Sequence, residues 1–158
     1  MMPLSFFQWC QALAISQVYR QSVWLFAVTQ ALHLVAITAF FGAILIGDLR
    51  LLGWGPAQQS RAGIARSAHR VLLWAFLAVL VTGTLQFTTN AMSYSRSSMF
   101  TYKMYLLAAT LVFTVTLRRS VALSDEGRFP SWVPKAVGAA SFVLWMSVVV
   151  SGRLITYY

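Results

Sequence analysis

His33 is the residue of this chain best suited to chemistry. It stands about nine residues into an apolar run from Val23 to Gly47 that carries no formal charge until Asp48. An imidazole near the middle of a bilayer is costly, and such groups are paired or functional as a rule. Two roles are open to it. As a hydrogen-bonding group it would join helices, with Gln86, Thr82 or Ser147 as partners. As a neutral ligand it would bind haem iron axially, or copper.

The second histidine cannot complete the same iron site. His69 lies between Arg66 and Arg70, level with Asp48, which is about 22 Å along the helix axis from His33. Two axial nitrogens across one iron are only about 4 Å apart. Residue counting inward from Thr156 instead brings Met146 to the depth of His33, as a thioether ligand. The other choices are five-coordinate iron or a ligand from a neighbouring subunit. Gly83, at the same depth on another segment, could admit a flat ring or a close helix. Lys103 and Arg153 fall within a turn or two of the surface, about 10 Å above His33, where basic donors would suit haem propionates, a quinone carbonyl or anionic headgroups. For copper the soft candidates beside His33 are Met92, Met99 and Met104. Asp48, at a helix C-terminus where the dipole repels it, needs a basic partner among Arg50, Arg66, Arg70 and Arg118, and reads as a structural lock. Cys10 is alone, and no nucleophile with its base and no phosphate-binding glycine loop is present, so hydrolytic and phosphoryl-transfer enzymes have no support.

The elements that must hold these residues are helices in a membrane. Of 158 residues 59% are apolar and 9% charged, with a mean hydropathy of +0.70, which excludes a soluble domain with a polar shell. Four segments of about 20 apolar residues can each cross a hydrocarbon core of about 30 Å: about 23–47, 71–92, 100–117 and 132–156. Ahead of them, about 4–20 is apolar but broken by Ser5, Gln8, Gln11 and Ser16, and reads as an interfacial helix rather than a removable signal peptide. The expected fold is all-α, a four-transmembrane-helix bundle with an N-terminal interfacial helix, in one integral membrane domain over 1–158.

Twelve bases against three acids give a net charge of +9. Counted by side, eight bases (Arg50, Arg61, Arg66, Arg70, Arg118, Arg119, Arg128, Lys135) oppose four (Arg20, Arg96, Lys103, Arg153). The first side is therefore expected to be cytoplasmic and both termini periplasmic. Topology and lipid headgroups absorb the charge, so no nucleic-acid partner is required.

The run Trp24-Leu-Phe-Ala-Val-Thr-Gln-Ala-Leu-His33, then Gly42 and Gly47-Asp-Leu-Arg-Leu-Leu-Gly53, resembles small bacterial inner-membrane proteins of uncharacterised function. Thr82-Gly83, Phe100-x-x-Lys103 and Gly152-Arg-Leu-Ile-x-Tyr157 fit the same pattern, so the resemblance covers about 23–158. In layout the chain is similar to the membrane domain of copper-resistance D proteins and, remotely, to four-helix b-type cytochromes. The resemblance implies that His33, Asp48, Arg50, Lys103 and Arg153 belong to the family pattern. The expected function is a membrane subunit, not itself an enzyme, binding one haem b through His33 for electron transfer with quinone or a partner protein. Copper binding or transport is one alternative. A cofactor-free assembly subunit is another. So small a chain is expected to act as a homo-oligomer or within a larger complex.

Overall fold

A computed structural model describes residues 4–54, 61–125 and 127–154, and among these every regular element is helical. The elements are α1 (Leu4–Ala12), α2 (Ala14–Gln21), α3 (Val23–Leu51), α4 (Arg61–Thr89), α5 (Ala91–Ser95), α6 (Ser98–Phe113), a π-helical turn (Thr114–Arg118), α7 (Arg119–Leu123) and α8 (Trp132–Leu154). Four helices are long and apolar enough to cross a membrane: α3, α4, α6 continued through α7, and α8. They form a bundle with alternating up and down directions.

Local chemistry sets the ends. Ser22 and Ser97 cap α3 and α6 by accepting the backbone N–H of Leu25 at 3.4 Å and of Phe100 at 3.3 Å. Helix α3 stops at Gly53, whose φ of 93° few other residues adopt. There the Trp54 N–H reaches the Leu49 carbonyl at 2.8 Å and the Gly53 N–H reaches that of Arg50 at 3.2 Å, a Schellman stop.

The spans run longer than their apolar cores suggest. Helix α3 continues four residues past Gly47, and α4 begins at Arg61 rather than near Val71. In each case polar and basic turns extend the helix beyond the hydrocarbon. Residues 55–60, which precede α4, and residues 155–156 of the last expected span lie outside the described residues. The interfacial segment is two helices instead of one, because Leu13 is extended (φ −57°, ψ 139°) and turns the chain between α1 and α2.

Large apolar side chains cover the outside, as lipid requires: Val23 and Trp24 are more than 80% exposed, and Val35, Trp74 and Val112 more than 60%. Inside, Phe40, Ile44, Ala75, Trp145 and Val148 form the central core. Phe40 meets Phe76 at 5.6 Å and Trp145 edge-on at 4.8 Å, which fixes the register of α3 against both α4 and α8.

The bundle has two unlike ends. At the capped end α1 and α2 lie over the tips of α3 and α4. Phe7 and Cys10 pack on Ala91 and Phe87, Ser16 donates to the Thr88 carbonyl at 2.8 Å, and Thr29 donates to the Tyr19 hydroxyl at 3.0 Å. Phe87, Tyr94 and Phe100 stack beside them. The opposite, basic end carries Arg50, Arg66, Arg70, Arg118 and Arg119.

Candidate functional site

Two polar sites lie inside the bundle, one toward each end. The first is built on His33, the eleventh of the 29 residues of α3 and thus in the capped-end half. Its Nδ1 lies 2.7 Å from Thr82 Oγ1 on α4. Thr82 has one proton, and it is directed at the Ala78 carbonyl 2.6 Å away. Thr82 Oγ1 must therefore accept, His33 Nδ1 must donate, and Nε2 keeps its lone pair. A hydroxyl that turns back on its own helix in this way selects the tautomer of the facing imidazole.

Gly83 explains how the ring fits. A Cβ at that position would stand 3.2 Å from His33 Cε1, and 3.9 and 4.0 Å from Nδ1 and Nε2. The Cε1 vertex thus points into the Gly83 notch, with Nδ1 on one side toward Thr82 and Nε2 on the other. Gly83 seats the imidazole itself, not a flat cofactor ring.

Lys103 reaches the same level from α6. It lies over Gly152 of α8, where a Cβ would come within 3.0 Å of Nζ. Gln86, one turn beyond Thr82, contributes a buried Nε2 with no hydrogen-bond partner among the described residues. His33, Lys103 and Gln86 therefore come from three different helices to the capped-end half.

Met146 does not join them. Phe40 and Trp145 are in contact, so the residue of α8 level with His33, seven positions from Phe40, is Gly152, seven positions from Trp145. Met146 is about 9 Å deeper along α8 and is 38% exposed on a lipid-facing groove with Tyr102 and Val150. Counting inward from both helix ends fails because the ends are staggered, α3 rising beyond α8 at the capped end. Arg153 is exposed, so Lys103 turns inward and Arg153 outward. Met92 packs in the Phe7 and Cys10 cluster and Met104 is 41% exposed. No group of three or more His, Cys, Asp or Glu able to hold a metal occurs among the described residues. His69 is exposed near the start of α4.

The second site is the lock at the basic end. Of the four candidate partners of Asp48, it is Arg118 whose Nε donates to Oδ1 at 2.7 Å, with Asp48 1% exposed and the Arg118 side chain 10%. Arg118 Nη2 donates to the Ile44 carbonyl at 3.0 Å and passes over Gly47, where a Cβ would stand 2.5 Å away. The π turn carries Arg118 at its end and Thr114 at its start, and Thr114 Oγ1 accepts from Trp145 Nε1 at 3.1 Å. Gly138 lets α8 pass so close to α3 that a Cβ there would stand 3.0 Å from the Asp48 carbonyl. Asp48 Oδ2 and the buried Ser141 hydroxyl of α8 have no hydrogen-bond partner among the described residues. The Arg50 carbonyl serves the Schellman stop.

The chain belongs to a family of unknown function, DUF6644. The DUF6644 family model matches residues 6–158, which include both polar sites and the α1–α2 cap. No curated protein and no solved structure matches the chain. Sequence reasoning singled out Thr82 and Arg118 among several partners. It gave Gly47 and Gly152 only as members of a sequence pattern, since their role as seats depends on which faces meet, and it missed Gly138 and Thr114, the latter placed by the π turn.

Proposed function

We propose that this DUF6644 chain is a membrane electron-transfer subunit in which His33 Nε2 ligates the iron of one b-type haem in the capped-end half of the bundle. The observation that carries this reading is the 2.7 Å contact between His33 Nδ1 and Thr82 Oγ1. Thr82 orients His33 through Nδ1, the outer-shell hydrogen bond that metal-ligating histidines characteristically make, and this leaves Nε2 as the donor atom. Lys103 supplies a cation for a propionate at the same level, whereas Arg153, exposed on α8, is displaced from that role. Met146 lies too far along α8 to serve beside His33, so any further ligand would come from outside the chain, from a second copy or a subunit of a larger complex. Haem when bound exchanges one electron at a time. The protein orients the ligand, supplies the countercharge and excludes water, with quinone or a partner protein as the exchanging species. The basic end faces the bacterial cytoplasm and the capped end the periplasm, in line with the eight-to-four distribution of bases.

A second reading is favoured by the fit of the imidazole into the Gly83 notch: the His33 to Thr82 bond is then a clamp between α3 and α4, and the subunit is an assembly scaffold. One preparation separates the two. Protein purified in mild detergent after expression with haem precursor should show a Soret band that shifts on dithionite reduction and is lost in His33→Ala. Absence of the band from folded wild type refutes the haem reading. A His33→Ala protein that lacks only its thermal stability or oligomer then supports the clamp. Metal analysis of the same sample tests copper.

A further inference from the structure

A groove of about 440 Å³ opens toward the lipid between α6 and α8. Tyr102 and Leu106 form one wall, and Phe142, Met146, Val150 and Leu154 the other. The serine hydroxyls on it are spent on their own helix: Ser147 Oγ donates to the Val143 carbonyl at 2.8 Å and Ser151 Oγ to that of Val148 at 2.9 Å. The groove thus offers hydrocarbon-compatible surface throughout. From Phe142 to Leu154 the helix rises about 18 Å, against about 15 Å for half of a hydrocarbon core. Its last lining residue, Leu154, closes the described part of α8, so the groove opens at the capped-side end of that helix.

Charge selects the occupant. Of the three acids in the chain, Asp48 is held by Arg118 at the basic end, and Asp125 and Glu126 follow α7 in sequence. Arg153 stands near the capped-side end of α8, exposed, with no ion-pair partner among the described residues. Helical periodicity puts it on the same face of α8 as Met146 and Val150, seven and three residues earlier, and hence at the mouth of the groove. Tyr102, 60% exposed, stands on the opposite wall. A cation at the mouth of an apolar groove about as long as half of a hydrocarbon core fits an amphiphile with a negative head. We infer that the α6–α8 groove holds an acyl chain of an anionic phospholipid whose phosphate is bound by Arg153. The inference does not rest on haem binding, because neither Arg153 nor any residue lining the groove is a partner of His33.

The test is native mass spectrometry of the delipidated full chain in detergent, titrated with phosphatidylglycerol or phosphatidylcholine carrying identical acyl chains. One basic residue at the headgroup should give phosphatidylglycerol about a fivefold preference. Arg153→Gln should bring that preference to about one, the value for equal affinities. Val150→Trp should fill the groove and abolish the adduct, with circular dichroism confirming that both variants remain helical. Equal binding of the two lipids by wild type, or a preference that survives Arg153→Gln, overturns the inference. So does a wild-type dimer free of lipid that Val150→Trp dissociates, which would assign the groove to a second copy of the chain.

Discussion

Replacing Arg118 by Met tests whether the basic end is held by charge. Met keeps much of the volume but removes the guanidinium that satisfies Asp48 Oδ1 at 2.7 Å and the Ile44 carbonyl at 3.0 Å. Asp48, 1% exposed, would be left with a carboxylate that neither water nor another residue compensates. Removing one partner of such a pair costs about 3–5 kcal/mol. At about 2–4 °C per kcal/mol for a chain of this size, the unfolding midpoint should fall by about 6–20 °C. The lone buried Cys10 provides the assay, since a thiol-reactive dye reports its exposure on heating in detergent. Asp48→Asn should produce a smaller loss, and the double variant should lie well above the sum of the single losses, because neither charge then remains unpaired. A midpoint for Arg118→Met within about 2 °C of wild type, less than one kcal/mol, or strict additivity in the double variant, would refute the lock.

Thr82→Val should remove the acceptor of His33 Nδ1 at constant shape and cost about 1 kcal/mol in the same melting assay, with any His33-dependent absorbance weakened as the tautomer is released. Gly138→Val should destabilise more than Gly83→Ala, because its Cβ would meet the Asp48 carbonyl and Leu51 Cβ at 3.0 Å, whereas at Gly83 only the vertex of a side-chain ring has to give. A comparison of melting midpoints decides the order. Burial raises the pKa of Tyr94 above the ordinary phenol value of about 10. Its contribution is therefore complete below pH 10 and is lost as pH rises through the higher folded value, and Tyr94→Phe should flatten that alkaline loss in a stability series against pH.

The four spans were legible because a 20-residue apolar run has few fates besides crossing a membrane. The length of α3 and α4 beyond the hydrocarbon was not, since polar turns that continue a helix resemble loops in composition. The break at Leu13 has no glycine or proline to announce it. At the sites, residue type and depth sufficed to single out His33 and Asp48 and to shortlist Thr82 and Arg118. Pairing across helices depends on rotation and stagger, which apolar periodicity leaves undetermined when every face of a helix is apolar. Met146 was misplaced for that reason, and the contact of Gly152 with Lys103 went unforeseen.

The π turn at Thr114–Arg118 is one residue more than an α-helix needs, and it turns everything after it by about 100°. In evolutionary terms it has the character of a retained insertion. A relative one residue shorter between Phe113 and Arg119 would present a different side chain to the position of Asp48, and its arginine would face lipid. Within DUF6644, a one-residue gap at this point should therefore travel with loss of the acid on the first span, and an alignment that closes the gap elsewhere would pair the wrong residues.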